Sequence, residues 1–295
     1  MRNTRGAAKP PSAPVKAVQP SAEVAVVEQA PPAAQPDMQS LFAADSAEFG
    51  NVDFKGDLAI PFIGILQKGS PQVDDAHAKY IDGAKVGMAL NTVTGSLIDL
   101  RRGKDGKGGV EVILCCYDKK FVEWVPREDG GGFVGQHEPG AAEVDACKLN
   151  DKKRLETPDG NLMVETAYHY VLIREKPKAE WQWAVFPSKS SSLKMTRKWN
   201  SMVASLVVKG KDGKSIKPPV FSQVWLLSTY PDQKDDFTWA ACDIAHVGSV
   251  SDIATYEMAK AFATAVKSGA VRVTAPPADP TEGGGESKSD KDVPF

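Results

Sequence analysis

No stretch of the 295-residue chain approaches the roughly 18 consecutive apolar residues that a membrane-spanning helix needs. The first 20 residues carry Arg2, Arg5, Lys9 and Lys16 but no apolar core, so no secretory leader and no membrane association are expected. Cysteine is scarce. The four present (Cys115, Cys116, Cys147 and Cys242) include a vicinal pair and no paired framework, which suits reduced thiols in a cytosol. Histidine is as scarce, at His77, His137, His169 and His246, and neither Cys-x-x-Cys nor His-Glu-x-x-His spacing occurs. A zinc set drawn from His137, Cys147 and the Cys115/Cys116 pair therefore lacks the usual ligand spacing, and no metal or cofactor is expected. The run Lys209 to Ser215 hints at a phosphate loop, but Val208 stands where its first glycine belongs and the run follows a helix instead of a strand. His169 shares a strand face with Val171 and reads as a core histidine. The remaining enzyme candidate is a magnesium-dependent nuclease using Asp232, Asp235 and Asp236 after Pro231. Turn aspartates more often bond their own backbone, and no nucleophile with a base beside it is detectable, so catalysis is not expected.

The net charge of −2 argues at first against a polyanionic partner, but the charge is segregated. From Lys189 to Lys217 eight basic residues face one acidic residue, a net of +7. From Ala275 to Phe295 five acidic side chains face two basic ones, a net of −3. Further basic clusters are Arg101, Arg102, Lys104 and Lys107, and Lys148, Lys152, Lys153 and Arg154.

Residues 1 to 37 hold seven prolines and nine alanines, and the stretch after Thr274 holds four more prolines, three glycines and acids. Neither can bury enough apolar area to offset its ordering entropy. The expected organisation is a disordered tail over 1–39, one folded domain over 40–272 and a disordered acidic tail over 273–295. Within the domain, Leu58 to Gln67 reads as an edge strand carrying Pro61, and Asn91 to Leu100 as a hairpin around Thr94-Gly95. Strands are expected over Val110 to Val125, Thr166 to Arg174, Trp181 to Phe186, Phe221 to Tyr230 and Phe237 to His246, with a loop-rich segment after the first. Helical spacing puts Met195, Trp199, Met202, Val203 and Leu206 on one face of Ser191 to Val208. A last helix runs from about Ser249 to Ser268, with Ser249 and Asp252 as capping residues and Gly269 at its end. The prediction is a mainly β, α+β domain with two helices. Its order of three strands, a helix and two strands is that of an OB-fold, a five-stranded barrel, here with an N-terminal β elaboration. A mixed sheet with two packed helices gives the same string.

Two features point to single-stranded DNA. Tyr168 and Tyr170 share one face of their strand, opposite Ala167, His169, Val171 and Ile173, and Trp181 and Trp183 share a face of the next. Four rings on adjacent strands would form a platform on which bases stack without sequence preference; core packing is the better account of any single ring, but not of all four together, because Val171 and Ile173 already supply an apolar face. Around them Lys194, Arg197 and Lys198 lie at i, i+3 and i+4 on the helix. With Lys209, Lys211 and Lys214 in the next loop and Arg101 and Arg102 before the first long strand, they form the electrostatic groove a phosphate backbone requires.

The C-terminal residues Asp290-Lys291-Asp292-Val293-Pro294-Phe295 resemble the tail of bacterial single-stranded-DNA-binding proteins, which ends in acidic residues, an aliphatic residue, proline and phenylalanine. The resemblance implies that Asp290, Asp292, Val293, Pro294 and Phe295 dock on replication or recombination proteins such as a polymerase, recombinase or nuclease; Lys291 departs from the uninterrupted acidic pattern. The segments Ile60 to Gln67, Glu123 to Arg127 and Gly130 to Gly135 are similar to phage-encoded proteins of this size. The resulting expectation is a phage protein of the bacterial host cytoplasm that binds single-stranded DNA in replication or recombination and recruits partners by its tip. Its oligomeric state is left open, and an interaction adaptor without DNA binding is the alternative.

Overall fold

The structure, a computed structural model, describes residues 59–103, 106–210 and 212–271. Both expected tails lie outside these residues. Ile63–Ile65 (β1), Ala89–Asn91 (β2) and Leu97–Ile98 (β3) form a small antiparallel sheet in that order. Its β2–β3 turn is the Thr94-Gly95 hairpin, where Asn91 Oδ1 accepts from the N–H groups of Val93 and Thr94. The main sheet follows. It begins with Val110–Val125 (β4), Gly132–His137 (β5), the short helix Ala142–Asp145 (α1), Lys148–Leu149 (β6) and Leu155–Glu156 (β7). Leu162–Arg174 (β8) and Gln182–Lys189 (β9) lead to helix Leu193–Ser205 (α2). A separate hairpin, Val208–Lys209 (β10) and Ser215–Ile216 (β11), precedes Gln223–Lys234 (β12), Phe237–Ser249 (β13) and helix Ile253–Lys267 (α3).

β4 and β8 pair antiparallel from Glu111 opposite Arg174 to Trp124 opposite Leu162. The other edge of β4 is shared: β12 takes its N-terminal part, as far as Val110 opposite Leu227, and β5 its C-terminal part. β9 pairs with β8 and β13 with β12, so the path β13-β12-β4-β8-β9 curls as a half-barrel. Among the described residues no pairing closes β9 onto β13. Pro61 and Phe62 run beside β9 instead, with Val185 N–H donating to the Pro61 carbonyl at 2.8 Å. Proline is tolerated there because an edge position demands no N–H from it.

The chain is mainly β, as expected, but among the described residues it has three α-helices. The extra one, α1, lies in the segment read as loop-rich, together with β5, β6 and β7. These strands have two to six residues and few buried side chains, so no apolar alternation marks them in the sequence. α3 starts at Ile253, with Asp252 as its cap accepting from Thr255 N–H at 2.7 Å; the cap is Asp252 alone, three residues past Ser249.

At its centre the sheet is buried on both faces, which is why Val110 to Cys115 is apolar almost throughout. Val110, Val112, Leu114, Val171 and Ile173 pack with Trp225, Leu227 and Ile244 under Met195 and Trp199 of α2. Ile113, Cys115 and Leu172 pack under Ala259, Phe262 and Ala263 of α3. Each such side chain contributes about 1.5–3 kcal/mol on burial.

His169 lies in the first core, stacked on Trp199 with ring centroids 4.9 Å apart and planes 12° apart. Its Nδ1 donates to the Phe186 carbonyl at 3.2 Å. Burial pushes this imidazole down to about 4, whereas an unfolded histidine titrates near 6.5. The folded chain therefore favours the neutral ring. Its contribution is complete above about pH 6.5 and drains as pH falls from there towards 4. We predict that His169 makes the fold about 2 kcal/mol less stable at pH 5 than at pH 8. In urea unfolding, the stability gap between wild type and His169→Gln should shrink by that amount over this range; a constant gap would refute the assignment.

Candidate nucleic-acid interface

The ring platform expected from the sequence is not open. Tyr168 and Tyr170 share a face, as predicted, but that face lies under α3. Tyr168 is 1% and Tyr170 5% exposed. Burial pushes both phenols up, that of Tyr170 to about 12. Trp183 stacks on Phe262 of α3 at 4.7 Å and 8°, and Trp181 is half-buried with the Arg174 guanidinium 4.5 Å from its ring centre. These rings are core or core margin. The reading as a solvated face fails because α3 arrives to cover it.

The basic residues fare differently. On α2, Lys194, Arg197 and Lys198 are exposed opposite buried Met195 and Trp199, as the spacing predicts. Arg101 and Arg102 run beside β12: Arg102 N–H donates to the Thr229 carbonyl and Thr229 N–H to that of Leu100, both at 2.8 Å. Arg102 and Lys198 then converge on one carboxylate. Lys198 Nζ donates to Asp243 Oδ1 at 2.5 Å, and Arg102 Nη2 to Asp243 Oδ2 at 2.8 Å and to Ser228 Oγ at 2.8 Å. Burial of Asp243 opposes its ionisation, but the bonds from Lys198 and Arg102 outweigh this and hold its carboxyl below the usual range.

Lys209 and Lys214 are exposed on the β10–β11 hairpin, Lys214 with Asp212 at 3.6 Å. Lys211 and Lys104 lie outside the described residues. The cluster at Lys148, Lys152, Lys153 and Arg154 belongs to the β6–β7 region. That region pairs with β8 opposite the C-terminal end of β4, whereas Arg101 and Arg102 lie near its N-terminal end. It is therefore no part of this surface. The acidic turn divides as well: Asp232 is in β12 opposite Trp239, while Asp235 and Asp236 make the β12–β13 turn. Among the described residues no group of three or more His, Cys, Asp or Glu side chains is placed to hold a metal ion. No helix among them is long and apolar enough to cross a membrane.

Next to Arg102 opens a cleft of about 750 Å³. The rings of Tyr230 and Trp239 and the cations Lys68, Arg101, Arg102 and Lys107 contribute to its lining. Two clamps hold its walls. The Gln67 amide bonds both main-chain groups of Ala240, Oε1 accepting at 2.9 Å and Nε2 donating at 3.0 Å, and Thr229 Oγ1 donates to the Gly87 carbonyl at 2.6 Å. Gly87 sits at φ +87°, and a Cβ there would come within 3.0 Å of Thr229 Oγ1 and 3.1 Å of Arg101 Cγ. Only glycine combines that backbone with walls this close.

Residues 28–272 match the family described as Pam3 phage gp34-like protein. The chain belongs to that family. No curated protein and no solved structure matches it. Both walls of the cleft fall within the matched range, and the tip residues Asp290, Asp292, Val293, Pro294 and Phe295 fall outside it.

Sequence reasoning passed over Tyr230, Trp239 and Asp243. The signal was one of phase. Ala240, Cys242 and Ile244 are the buried set of β13, and Trp225, Leu227 and Thr229 that of β12. Trp239 and Tyr230 are rings in the opposite phase, where a purely structural strand favours polar side chains.

The covered rings generate a prediction. Trp183→Ala removes the ring stacked on Phe262 and should lower stability by about 2–4 kcal/mol. The affinity of its folded fraction for a dT oligomer should equal that of wild type. Unchanged melting with weakened DNA binding would restore Trp183 to the interface.

Proposed function

We propose that this protein binds single-stranded DNA without sequence preference and without catalysis, in phage replication or recombination within the bacterial host cytoplasm. One observation carries the reading. Arg102 and Lys198, from separate parts of the chain, meet at Asp243, joining the loop cations to the exposed cations of α2 beside a cleft lined with rings. Cations in series with aromatic rings suit a flexible polyanion whose bases are unpaired. The strand order supports it. With β4 as the first strand, β8, β9, α2, β12 and β13 follow the order of an OB-fold whose closing seam is left open, and the cleft lies beside the hairpin of the last two strands, where such folds bind oligonucleotides. Recruitment of replication or recombination proteins through Asp290, Asp292, Val293, Pro294 and Phe295 belongs to the same proposal.

The test is binding of a dT oligomer and of duplex of equal length across a salt series. Single strands should bind more tightly, with a log–log slope near −0.7 for each phosphate neutralised. Equal or tighter duplex binding would reject the reading. Asp243→Asn removes the carboxylate that offsets Arg102 and Lys198. It is expected to raise affinity for the dT oligomer and to steepen the slope by about 0.7–1.4, one or two additional phosphates. Weaker binding by folded Asp243→Asn protein would place these cations off the DNA path.

A further inference from the structure

We infer that the cleft between the β1–β3 sheet and the β12–β13 hairpin takes unstacked bases of the bound strand, with their phosphates on its basic rim. This rests on the DNA-binding reading above and adds where the bases go.

The planar groups of the lining favour a base over a phosphate as the group inside. Arg101 Nε and Nη2 both donate to the Asp99 carboxylate, at 2.8 and 2.7 Å. Asp99 thus occupies one of the guanidinium's two bidentate edges, orients its plane and offsets its charge. At 38% side-chain exposure Arg101 offers its flat face beside its remaining N–H donors, and a guanidinium face stacks on aromatic rings. Tyr230, 36% exposed, and half-buried Trp239 add two more flat surfaces. Three planar groups in one cleft match planar ligands.

Size and rigidity agree. The cleft's 750 Å³ falls within the roughly 300–1,000 Å³ of sites for small molecules, room for one or two nucleotides and far too little for a duplex. The bonds from Gln67 to Ala240 and from Thr229 to Gly87 tie the two walls together before any ligand arrives. A paired base has no free face to offer. An unpaired one offers a face of its own whatever its identity, so the site favours single strands without reading sequence. An acidic peptide would satisfy the cations and leave the planar groups unused.

The experiment is a fluorescence anisotropy titration of labelled dT10 with the full chain, comparing wild type with Trp239→Ala, Trp239→Leu, Tyr230→Ala and Arg101→Lys. Melting curves are taken on the same samples. Trp239→Ala should weaken binding about 5- to 100-fold. Arg101→Lys keeps the charge but loses the plane, so affinity should fall several-fold at an unchanged salt slope. Should Trp239→Ala fail to fold, Trp239→Leu and Arg101→Lys carry the decision. Wild-type affinity in folded Trp239 and Arg101 variants, with weaker binding by Lys194→Ala and Arg197→Ala, would overturn the cleft assignment and leave the DNA reading standing. Competition by free dTMP as effective as by unlabelled dT10 would make this a mononucleotide site, and competition by a poly-glutamate peptide as effective would make it an acidic-peptide site. Either overturns the inference. No binding of dT10 by wild type at low salt would remove the DNA reading and this inference with it.

Discussion

The antiparallel ladder between β4 and β8, covered by α2 on one face and α3 on the other, is the constraint from which the other arrangements follow. A ladder of alternating side chains has two faces, and over Val110–Cys115 and Thr166–Ile173 neither is left to water. At the bulge between Leu114 and Cys116, Cys115 has no partner across the ladder. An extra residue bends its strand and increases the local twist. That bend lets one long strand serve β12 on its N-terminal edge and β5 on its C-terminal edge, and the sheet curls instead of lying flat. The first core then locks α2. Trp199 stacks on His169 of β8 and meets the Trp225 ring of β12 edge-on at 6.1 Å. With that ring inward, Lys194, Arg197 and Lys198 have only the outward face to occupy.

The electrostatic surface is in this sense a product of the core. Lys198 adjoins Trp199, so where Trp199 packs determines which strand Lys198 reaches. β13 is placed by its long ladder to β12, which brings Asp243 within reach of Lys198, and a few main-chain bonds between Leu100–Arg102 and Thr229 bring Arg102 to the same carboxylate. Ion pairs exposed to this degree contribute no more than about 1 kcal/mol to stability. What the cluster does is bring two cations from separate parts of the chain to one point on the surface, where Asp243 offsets part of their charge.

Features governed by local sequence were legible. The helical spacing around Met195 and Trp199, the opposition of Tyr168 and Tyr170 to Val171 and Ile173, the cap at Asp252 and the order of the long strands all follow from periods of 2 or 3.6 and from capping chemistry. What escaped was set from a distance. The residues that cover Tyr170 are Phe262 and its neighbours, some ninety positions further on, and nothing near Tyr170 announces them. The platform reading assumed a sheet with one wet face, the common state of antiparallel sheets; a second helix removed that face. β5, β6 and β7 escaped for another reason. They bury little, so they carry no apolar alternation to detect.

With both faces filled at its centre, the sheet leaves rings and cations open where the ladder thins. Beyond Leu227, β12 has lost β4 as a neighbour, and among the described residues Leu100 to Arg102 runs beside it, through the two bonds at Thr229. β12 and β13 continue together to the turn at Asp235 and Asp236. A two-stranded ribbon is marginal by itself, because each strand lacks a partner on one edge. Here Gln67 supplies part of that missing edge, its amide bonding Ala240 N–H and C=O in place of a neighbouring peptide. A side chain used this way holds the ribbon without extending the sheet across it, so the space beside the ribbon stays open. The same contact therefore stiffens the hairpin and preserves the cleft, which explains why the rings of Tyr230 and Trp239 and the loop cations meet at the margin of this sheet and not on either face.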